Sequence, residues 1–314
     1  MTKGYNVYGI VRRSSSINTK RIDHIFNNPK LKLFHGDITD SLSIDNIIQN
    51  VKPDEIYNLS AQSHVAVSFE LPEYTGNVDA LGVLKVLESC RKHCPNSKIY
   101  QASTSELFGK VQEVPQTENT PFYPRSPYGV AKLYAYWICK NYREAYNMFI
   151  SNGILFNHES ERRGETFVTR KITIGISKWV KGGPAIELGN LDSKRDWGYA
   201  PDYCEGMYKI LQQEKPDDFI LATNETHTIR DFINESCKYI NVEPEWQGSE
   251  ENEILIDRKT NRIIVKLNPK YLRPTEVDLL LGDYSKAKKI LNWEPKVKFN
   301  ELVRIMMEHD LKNK

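Results

Sequence analysis

Residues 55–102 contain two short apolar runs, EIYNL at 55–59 and KIYQA at 98–102, on either side of the segment EYTGNVDALGVLKVLESCRKH at 73–93. The two runs predict strands, because they are short and rich in β-branched and aromatic residues. The segment between them, Glu73 to His93, has the length and the apolar spacing of a helix. An order of strand, helix and strand is typical of two parallel strands joined by a crossover helix.

The same alternation continues on both sides of this stretch and predicts an α/β fold with a doubly wound, Rossmann-like parallel sheet. Residues 1–157 are therefore expected to form a dinucleotide-binding domain. The further strands are expected at Tyr5 to Val11, Leu31 to His35 and Met148 to Phe156, and the further helices at Ser41 to Asn50, capped by Ser41, and at Ser126 to Tyr146, where Pro127 fits the first turn.

The amino-acid composition of the sequence changes after Asn157. Gly, Arg and Asp become denser, and loops separate the predicted helices Thr169 to Val180 and Pro201 to Gln213. This change predicts a smaller α/β substrate domain at residues 158–314, and parts of residues 198–226 are expected to return to the first domain.

The amino-acid composition excludes several classes of protein. The 314 residues include 43 Lys and Arg against 41 Asp and Glu, which excludes a wholly basic nucleic-acid-binding surface but not a local phosphate pocket. No apolar run reaches the roughly 18 residues of a membrane span and no signal-peptide core is present, so a cytoplasmic location is expected. The five scattered cysteines predict reduced thiols. Cys90 and Cys94 enclose the segment CRKHC without a second ligand pair, so no metal site is predicted.

The segment YGVAK at residues 128–132 carries the clearest sign of chemistry. On a helix Tyr128 and Lys132 share one face, and a nearby ammonium favours phenolate, which then transfers protons near neutral pH. The pair alone is weak evidence for a catalytic site, because a Tyr and a Lys at this spacing often lie on a solvent-exposed helix face. The segment STSE at residues 103–106 strengthens this interpretation. It places hydroxyls and a carboxylate directly after a predicted strand, at the edge of the sheet where ligands bind. The pattern indicates an enzyme that uses a nicotinamide cofactor.

Glu106 is the unusual member of this group. Hydride transfer between an alcohol and a ketone needs no carboxylate, whereas removal of a C–H proton beside a carbonyl, followed by loss of water, needs a base of this kind. The alternative is an ordinary solvated loop glutamate.

Arginines point to phosphates in both halves of the chain. Arg12 and Arg13 begin the segment RRSSS after the first strand, where they suit the phosphate of NADP; the alternative is a plain basic loop. In the second half, arginines lie among aromatic residues, which suits a nucleotide diphosphate unless each arginine is simply solvated. These residues are Arg162, Arg163, Arg195 and Arg273, with Trp197 and Tyr271.

Several blocks of sequence resemble the GDP-mannose 4,6-dehydratase family of extended short-chain dehydrogenases/reductases. They are GIVRRSSS (9–16), YNLSAQSHV (57–65), QASTSELFG (101–109), PFYPRSPYGVAKLYAYW (121–137), GILFNHES (153–160), GNLDSKRDWG (189–198) and RPTEVD (273–278). Their length separates this family from other members of the superfamily.

The resemblance implies a reaction and a set of roles. Tyr128, helped by Lys132 and Thr104, takes the proton of the sugar C4 hydroxyl as hydride passes to NADP, and Glu106 then removes the C5 proton. Water leaves from C6 and the hydride returns there, which gives GDP-4-keto-6-deoxymannose from GDP-mannose. The residues implied for the cofactor are Arg12, Arg13, Ser14, Ser15, Asp37, Ile38, Leu59, Ser60, Ala61, Gln62, Ser63, Tyr74, Lys132, His158 and Arg163. Those implied for the GDP-sugar are Asn157, Lys171, Arg195, Arg273 and Glu276. A homodimer or homotetramer is also implied.

The chain departs from the family pattern at its start. The Gly-x-x-Gly-x-x-Gly turn and the strand before it, expected ahead of Lys3, are absent. That turn cradles the cofactor pyrophosphate, and its strand would be central in the sheet. Two expectations follow: a start about 30 residues upstream, or a truncated, inactive chain. Smaller departures are Ala66, Phe108, Glu161 and Tyr199-Ala200-Pro201.

Other functions remain open at this point. A nucleotide-sugar 4-epimerase would share Tyr128 and Lys132 but would have no use for Glu106 as a base. A reductase acting on another nucleotide sugar is disfavoured by the RPTEVD block at 273–278. A non-catalytic homologue would bind a GDP-sugar without converting it.

Overall fold

Strands and helices alternate through most of the chain in the computed structural model, which describes residues 1–249, 252–272 and 274–313. The strands are β1 (Val7–Val11), β2 (Leu31–His35), β3 (Glu55–Asn58), β4 (Lys98–Thr104), β5 (Ile150–Leu155), β6 (Asn157–Glu159), β7 (Ile186–Leu188), β8 (Lys194–Arg195), β9 (Trp197–Tyr199), β10 (Phe219–Leu221), β11 (His227–Thr228), β12 (Pro244–Gln247), β13 (Ile254–Asp257) and β14 (Ile263–Leu267). The helices are α1 (Ser41–Val51), α2 (Val65–Glu70), α3 (Pro72–Gly76), α4 (Gly82–His93), α5 (Pro127–Tyr146), α6 (Val168–Val180), α7 (Ala200–Leu211), α8 (Ile229–Tyr239), α9 (Ser285–Leu291) and α10 (Phe299–Asn313). None of the described helices is long and apolar enough to cross a membrane.

The chain divides into two compact units. The first unit comprises Met1–Ser103, Pro127–Asn152 and Gln213–Asp217, and the second comprises Thr104–Ser126, Gly153–Gln212 and Asp218–Lys314. The chain passes from the first unit to the second within β5, between Asn152 and Gly153.

Parallel strand pairs organise the first unit. β1 pairs with β2 from Val7 opposite Leu31 onward, and β3 pairs with β4 from Glu55 opposite Lys98 onward. α4 packs against both α1 and α5, and the core between them contains buried side chains of Ile44, Val83, Leu87, Cys139 and Ile150. Since β3 and β4 are parallel and a helical segment connects them, the predicted strand–helix–strand unit is confirmed.

The connection between β3 and β4 is less regular than the sequence predicts. The expected helix from Glu73 to His93 consists of α3, a π-helical turn over Asn77–Leu81, and α4. α2, opened by His64 at its N-terminus, precedes it and was not predicted. The cap of α1 is Asp40 rather than the predicted Ser41, because the Asp40 side chain accepts a hydrogen bond from the Leu42 N–H.

Three strand edges of the first unit, one each on β1, β2 and β3, have no partner strand within the described residues. β1 pairs with β2 alone and β3 with β4 alone. The side chains of Tyr8, Ile10 and Tyr57 on these strands are exposed.

A mixed sheet and three helices form the core of the second unit. β12, β13 and β14 are antiparallel neighbours, and β7 extends them in parallel with β14. β10 pairs in parallel with the end of β5, and β6 pairs in parallel with β9. α10 packs against α6 and α8, with Ile172, Ile176, Phe232, Leu302 and Met306 buried in the shared core.

A buried ion pair joins α6 to α10 in this core. The guanidinium of Arg170 contacts the carboxylate of Asp310, and the two side chains are 5% and 0% exposed. We expect Asp310→Ala to lower the free energy of unfolding by about 3–5 kcal/mol, because it leaves a buried guanidinium without its counter-charge. Urea denaturation measures the loss. The matched control is Arg304→Ala, which removes an exposed charge from the same helix and should have little effect; an equal loss in both variants would contradict the assignment.

Candidate active site

Tyr128 and Lys132 lie in the first turns of α5, in the first unit. Pro127 begins the helix at a position where a missing N–H costs no hydrogen bond. Both side chains are buried, and the Lys132 Nζ lies 5.9 Å from the centroid of the Tyr128 ring. The structure therefore places the phenol and the ammonium on one helix face, as their spacing predicts.

The ammonium of Lys132 is held by the neighbouring strand. Its Nζ donates a hydrogen bond to the backbone oxygen of Ala102 in β4, at 3.1 Å. Burial lowers the pKa of Lys132, and the carboxylate of Asp79 opposes this by raising it. A charged lysine in this position favours the phenolate form of a neighbouring tyrosine.

Thr104 and Glu106 belong to the second unit and lie at the carboxyl end of β4. The strand ends at Thr104, and a single 3-10 turn over Ser105–Leu107 follows. The Thr104 Oγ1 accepts a hydrogen bond from the Glu106 N–H at 3.2 Å, while the side chains of Leu107 and Phe108 are fully buried and anchor the turn. Glu106 itself is only partly buried.

Arg12 and Tyr74 come together in the first unit, although 62 positions separate them. The Arg12 guanidinium donates to the Tyr74 hydroxyl at 2.7 Å. Arg13, Ser14 and Ser15 follow in an exposed loop, and neither arginine forms an ion pair in the described part of the chain. Two guanidiniums that form no ion pair within the described residues, with hydroxyls nearby, suit a bound phosphate.

Asp37 and Ile38 follow β2. The Asp37 carboxylate accepts hydrogen bonds from the Thr39 N–H at 2.9 Å and the Thr39 hydroxyl at 2.7 Å. The backbone hydrogen bond is the main reason that the pKa of Asp37 is lowered, and the Arg12 and Lys85 charges add to it. Ile38 is buried against Gly82, the first residue of α4. A Cβ atom on residue 82 would lie 2.7 Å from the Ile38 Cγ1, so only glycine fits at this position without a shift of the Ile38 side chain.

The loop Leu59 to Ser63 follows β3 and is fixed through Gln62. The Gln62 N–H donates to the Asp79 carboxylate at 2.7 Å, and its side-chain amide donates to the Thr75 hydroxyl at 3.2 Å. The Gln62 amide oxygen accepts from the His64 N–H at 2.8 Å. Leu59 and Ser60 are exposed, so one side of the loop is anchored and the other is open.

His158 and Arg163 lie in the second unit, on and just after β6. The His158 ring stacks on Tyr203, with centroids 4.9 Å apart, and burial lowers the pKa of the imidazole. The Arg163 guanidinium lies 3.7 Å from the Phe167 ring centroid, and its Nε is 3.1 Å from the Glu159 carboxylate. Stacking and ion pairing hold the two side chains in place.

Four of the five residues implied for the GDP-sugar are described, all in the second unit. Arg195 donates to the Glu276 carboxylate at 3.0 Å and to the Val277 backbone oxygen at 2.7 Å. The Lys171 Nζ lies 3.4 Å from the Tyr271 ring centroid, and the Asn157 Oδ1 is buried without a hydrogen-bond partner in the described part of the chain. Arg273 lies outside the described residues.

A cavity of about 450 Å³ lies in the same unit. The GNLD segment forms one wall and the end of β14 with its following turn forms another. The lining residues are Gly189, Asn190, Leu191, Asp192, Glu253, Leu267, Asn268, Pro269 and Leu272. A volume of this size with amide and carboxylate groups suits a small polar ligand. No cluster of three or more potential metal ligands occurs among the residues that the structure describes.

Sequence reasoning did not identify Asp79, Thr75 or Tyr203. Asp79 and Thr75 fix the Gln62 loop, and Tyr203 supports His158. The available signal for Asp79 was an aspartate inside the apolar run NVDALGVL, since burying a carboxylate costs free energy unless it is paired or hydrogen-bonded.

Comparison with known proteins agrees with the resemblance. A family model described as GDP-mannose 4,6 dehydratase matches residues 1–306. The GDP-mannose 4,6 dehydratases of Drosophila melanogaster and Homo sapiens are each 56% identical to the chain over 321 residues, covering 99% of it and 81% and 86% of those proteins.

Solved structures with lower sequence identity share the fold. A dTDP-glucose 4,6-dehydratase from Bacillus anthracis, in complex with NAD, has a TM-score of 0.81 at 19% identity and covers 99% of this chain and 89% of that chain. RMD from Pseudomonas aeruginosa, complexed with NADPH, has a TM-score of 0.77 at 18% identity, with coverage of 98% and 99%. The predicted Rossmann-like α/β class is confirmed.

Proposed function

The chain belongs to the GDP-mannose 4,6-dehydratase family, and from this premise we propose that it converts GDP-mannose into GDP-4-keto-6-deoxymannose. The observation that carries the proposal is the 56% identity to a GDP-mannose 4,6 dehydratase over 99% of the chain. Tyr128 and Lys132 form a buried pair on α5, and Thr104 and Glu106 end β4. A proton-transferring phenol together with a carboxylate base is what a dehydration through a ketone needs.

We propose NADP as the cofactor. The exposed guanidiniums of Arg12 and Arg13, followed by Ser14 and Ser15, fit an adenosine 2′-phosphate, and no acidic residue competes for them through an ion pair in the described part of the chain. The NADPH complex of RMD supports the same choice. The other residues assigned to this cofactor are Asp37, Ile38, Leu59, Ser60, Ala61, Gln62, Ser63, Tyr74, Lys132, His158 and Arg163.

When bound, the nicotinamide supplies the hydride acceptor at C4 and later the hydride donor at C6. Tyr128 takes the proton of the C4 hydroxyl, Lys132 stabilises the phenolate, and Thr104 is assigned a supporting role in this step. The ketone at C4 acidifies the C5 hydrogen. Glu106 removes that proton, and the C6 hydroxyl leaves as water with the proton that Tyr128 took from the C4 hydroxyl. Glu106 then returns a proton, exchanged with solvent, to C5. The sugar therefore loses one water molecule with no net oxidation or reduction.

We assign the GDP moiety to residues of the second unit. Arg195 and Lys171 supply positive charge for the diphosphate. The buried Asn157 Oδ1 has no hydrogen-bond partner among the described residues and can accept a hydrogen bond from a ligand hydroxyl. Glu276 orients Arg195, and Arg273 is assigned with them.

Incubation with GDP-mannose in heavy water tests this function. We expect one deuterium at C5 and the loss of one water molecule, measured by NMR and mass spectrometry. A 4-epimerase or reductase would lose no water and would acquire no deuterium at C5. Tight binding of GDP-mannose without turnover would favour the non-catalytic homologue.

We also propose that the chain forms a homodimer or homotetramer through α5. Val130, Tyr134 and Trp137 are 57%, 39% and 54% exposed and recur at helical spacing, so they form an apolar stripe of the kind that marks an interface with a second copy. We expect Trp137→Glu to reduce the molar mass measured by light scattering, and Lys140→Glu on the same helix to change it less. An unchanged mass for Trp137→Glu would exclude this face.

A further inference from the structure

Asp79 occupies an unusual place in the fold of the first unit. It lies in the π-helical turn Asn77–Leu81 between α3 and α4, and its side chain is fully buried. π-helical turns within helices are rare and frequently mark functional sites. The turn packs against α5, which carries Tyr128 and Lys132.

The two oxygens of the Asp79 carboxylate have different surroundings. Oδ1 accepts the backbone N–H of Gln62 at 2.7 Å, which fixes the loop after β3. Oδ2 is buried without a hydrogen-bond partner among the described residues. A buried carboxylate with one unsatisfied oxygen costs free energy, so a purely structural role would be served as well by asparagine.

Lys132 is the charged group that acts on this carboxylate. Burial raises the pKa of Asp79 to about 6, and the Lys132 ammonium opposes that rise. Reciprocally, Asp79 raises the pKa of the buried Lys132, with a smaller contribution from the Cys139 thiol of α5.

The ionisable groups on the helices next to the turn are engaged elsewhere. Glu73 on α3 is exposed, and Lys85 on α4 donates to the Thr39 backbone oxygen at 2.7 Å. Glu88 on α4 pairs with Arg91 and accepts from the Tyr142 hydroxyl. Asp79 and Lys132 are therefore each other's main electrostatic partners.

We propose that Asp79 is a positioning residue that acts through Lys132 and Gln62. Its carboxylate keeps the Lys132 ammonium charged inside the first unit, and the same carboxylate holds the loop of residues 59–63 in place. The consequence for catalysis rests on the proposed function, because it is the charged Lys132 that stabilises the Tyr128 phenolate.

The first test is the pH dependence of kcat/KM for Asp79→Asn. Asparagine keeps the acceptor for the Gln62 N–H but removes the charge, so Lys132 loses its proton at lower pH. We expect the alkaline limb of the profile to move down by about one pH unit. Asp79→Glu retains the negative charge, so its alkaline limb should lie between those of Asp79→Asn and the unsubstituted protein. The matched control is Asp45→Asn, which removes a carboxylate bonded to His93 and Ser89 and should leave the profile unchanged.

The second test needs neither activity nor a folded Asp79→Asn variant. Because the pKa of Asp79 is raised in the folded protein, its stabilising contribution is present at low pH and is lost as the pH rises through about 6. Lys132→Met removes the opposing ammonium, so this loss should shift to higher pH when the free energy of unfolding is measured across the range.

Different results would overturn the role of Asp79 and the proposed function. An unchanged alkaline limb in an active Asp79→Asn variant, or an unchanged stability profile in Lys132→Met, would overturn the role of Asp79. Failure of the unsubstituted protein to dehydrate GDP-mannose would overturn the proposed function instead, and the stability profile would still decide whether Asp79 and Lys132 are coupled.

Discussion

Tyr128→Phe is expected to lower kcat for GDP-mannose by roughly 10²–10⁴-fold, the usual contribution of a general acid–base group. The substitution removes one oxygen from a buried side chain and keeps the ring that packs in α5, so the fold should be retained. With no phenol oxygen, nothing accepts the proton of the C4 hydroxyl when the ketone forms. KM should change little, because GDP binding is assigned to residues of the second unit.

The measurement is the initial rate of 4-keto product formation, with circular dichroism as the check on folding. Tyr134→Phe is the matched control, since it removes the same atom from an exposed tyrosine of the same helix. It should leave kcat unchanged. A Tyr128→Phe enzyme that retains near-normal turnover would remove Tyr128 from the mechanism, because no other group is assigned to that proton.

The fold could be predicted from the sequence where local signals and tertiary structure agree. β2 has the predicted boundaries, and β4 and α5 differ from the prediction only at their ends. Each combines a regular apolar pattern with clear end signals, such as Pro127 at the first position of α5. The Tyr128–Lys132 pair could be predicted for the same reason, because helical spacing alone places both side chains on one face.

Features that depend on long-range contacts could not be predicted in this way. A π-helical turn differs from an α-helix by one backbone hydrogen-bond step, and the residues NVDAL suit either form. The link between Arg12 and Tyr74 joins positions far apart in sequence, and no local pattern indicates it. The partnership of Asp79 with Gln62 and Lys132 likewise exists only after α5 has packed on the turn.

Glu106→Gln is expected to lower the rate of complete turnover by a similar factor, roughly 10²–10⁴-fold, but at a different step. The amide keeps the size of the side chain and leaves the backbone bond from Glu106 to the Thr104 hydroxyl in place. Tyr128 and Lys132 remain intact, so oxidation at C4 should continue. Without a base, the C5 proton stays on the sugar and water cannot leave.

Two measurements distinguish this block from the one at Tyr128. In heavy water, Glu106→Gln should incorporate no deuterium at C5, and quenched single-turnover samples should contain a 4-keto sugar that still carries its C6 hydroxyl. Tyr128→Phe should slow the formation of any ketone and should accumulate no such intermediate. Glu113→Gln is the matched control, because Glu113 is an exposed carboxylate in the same Thr104–Ser126 segment and accepts a hydrogen bond from Thr120. Normal deuterium incorporation at C5 by Glu106→Gln would mean that another group is the base and would remove Glu106 from the mechanism.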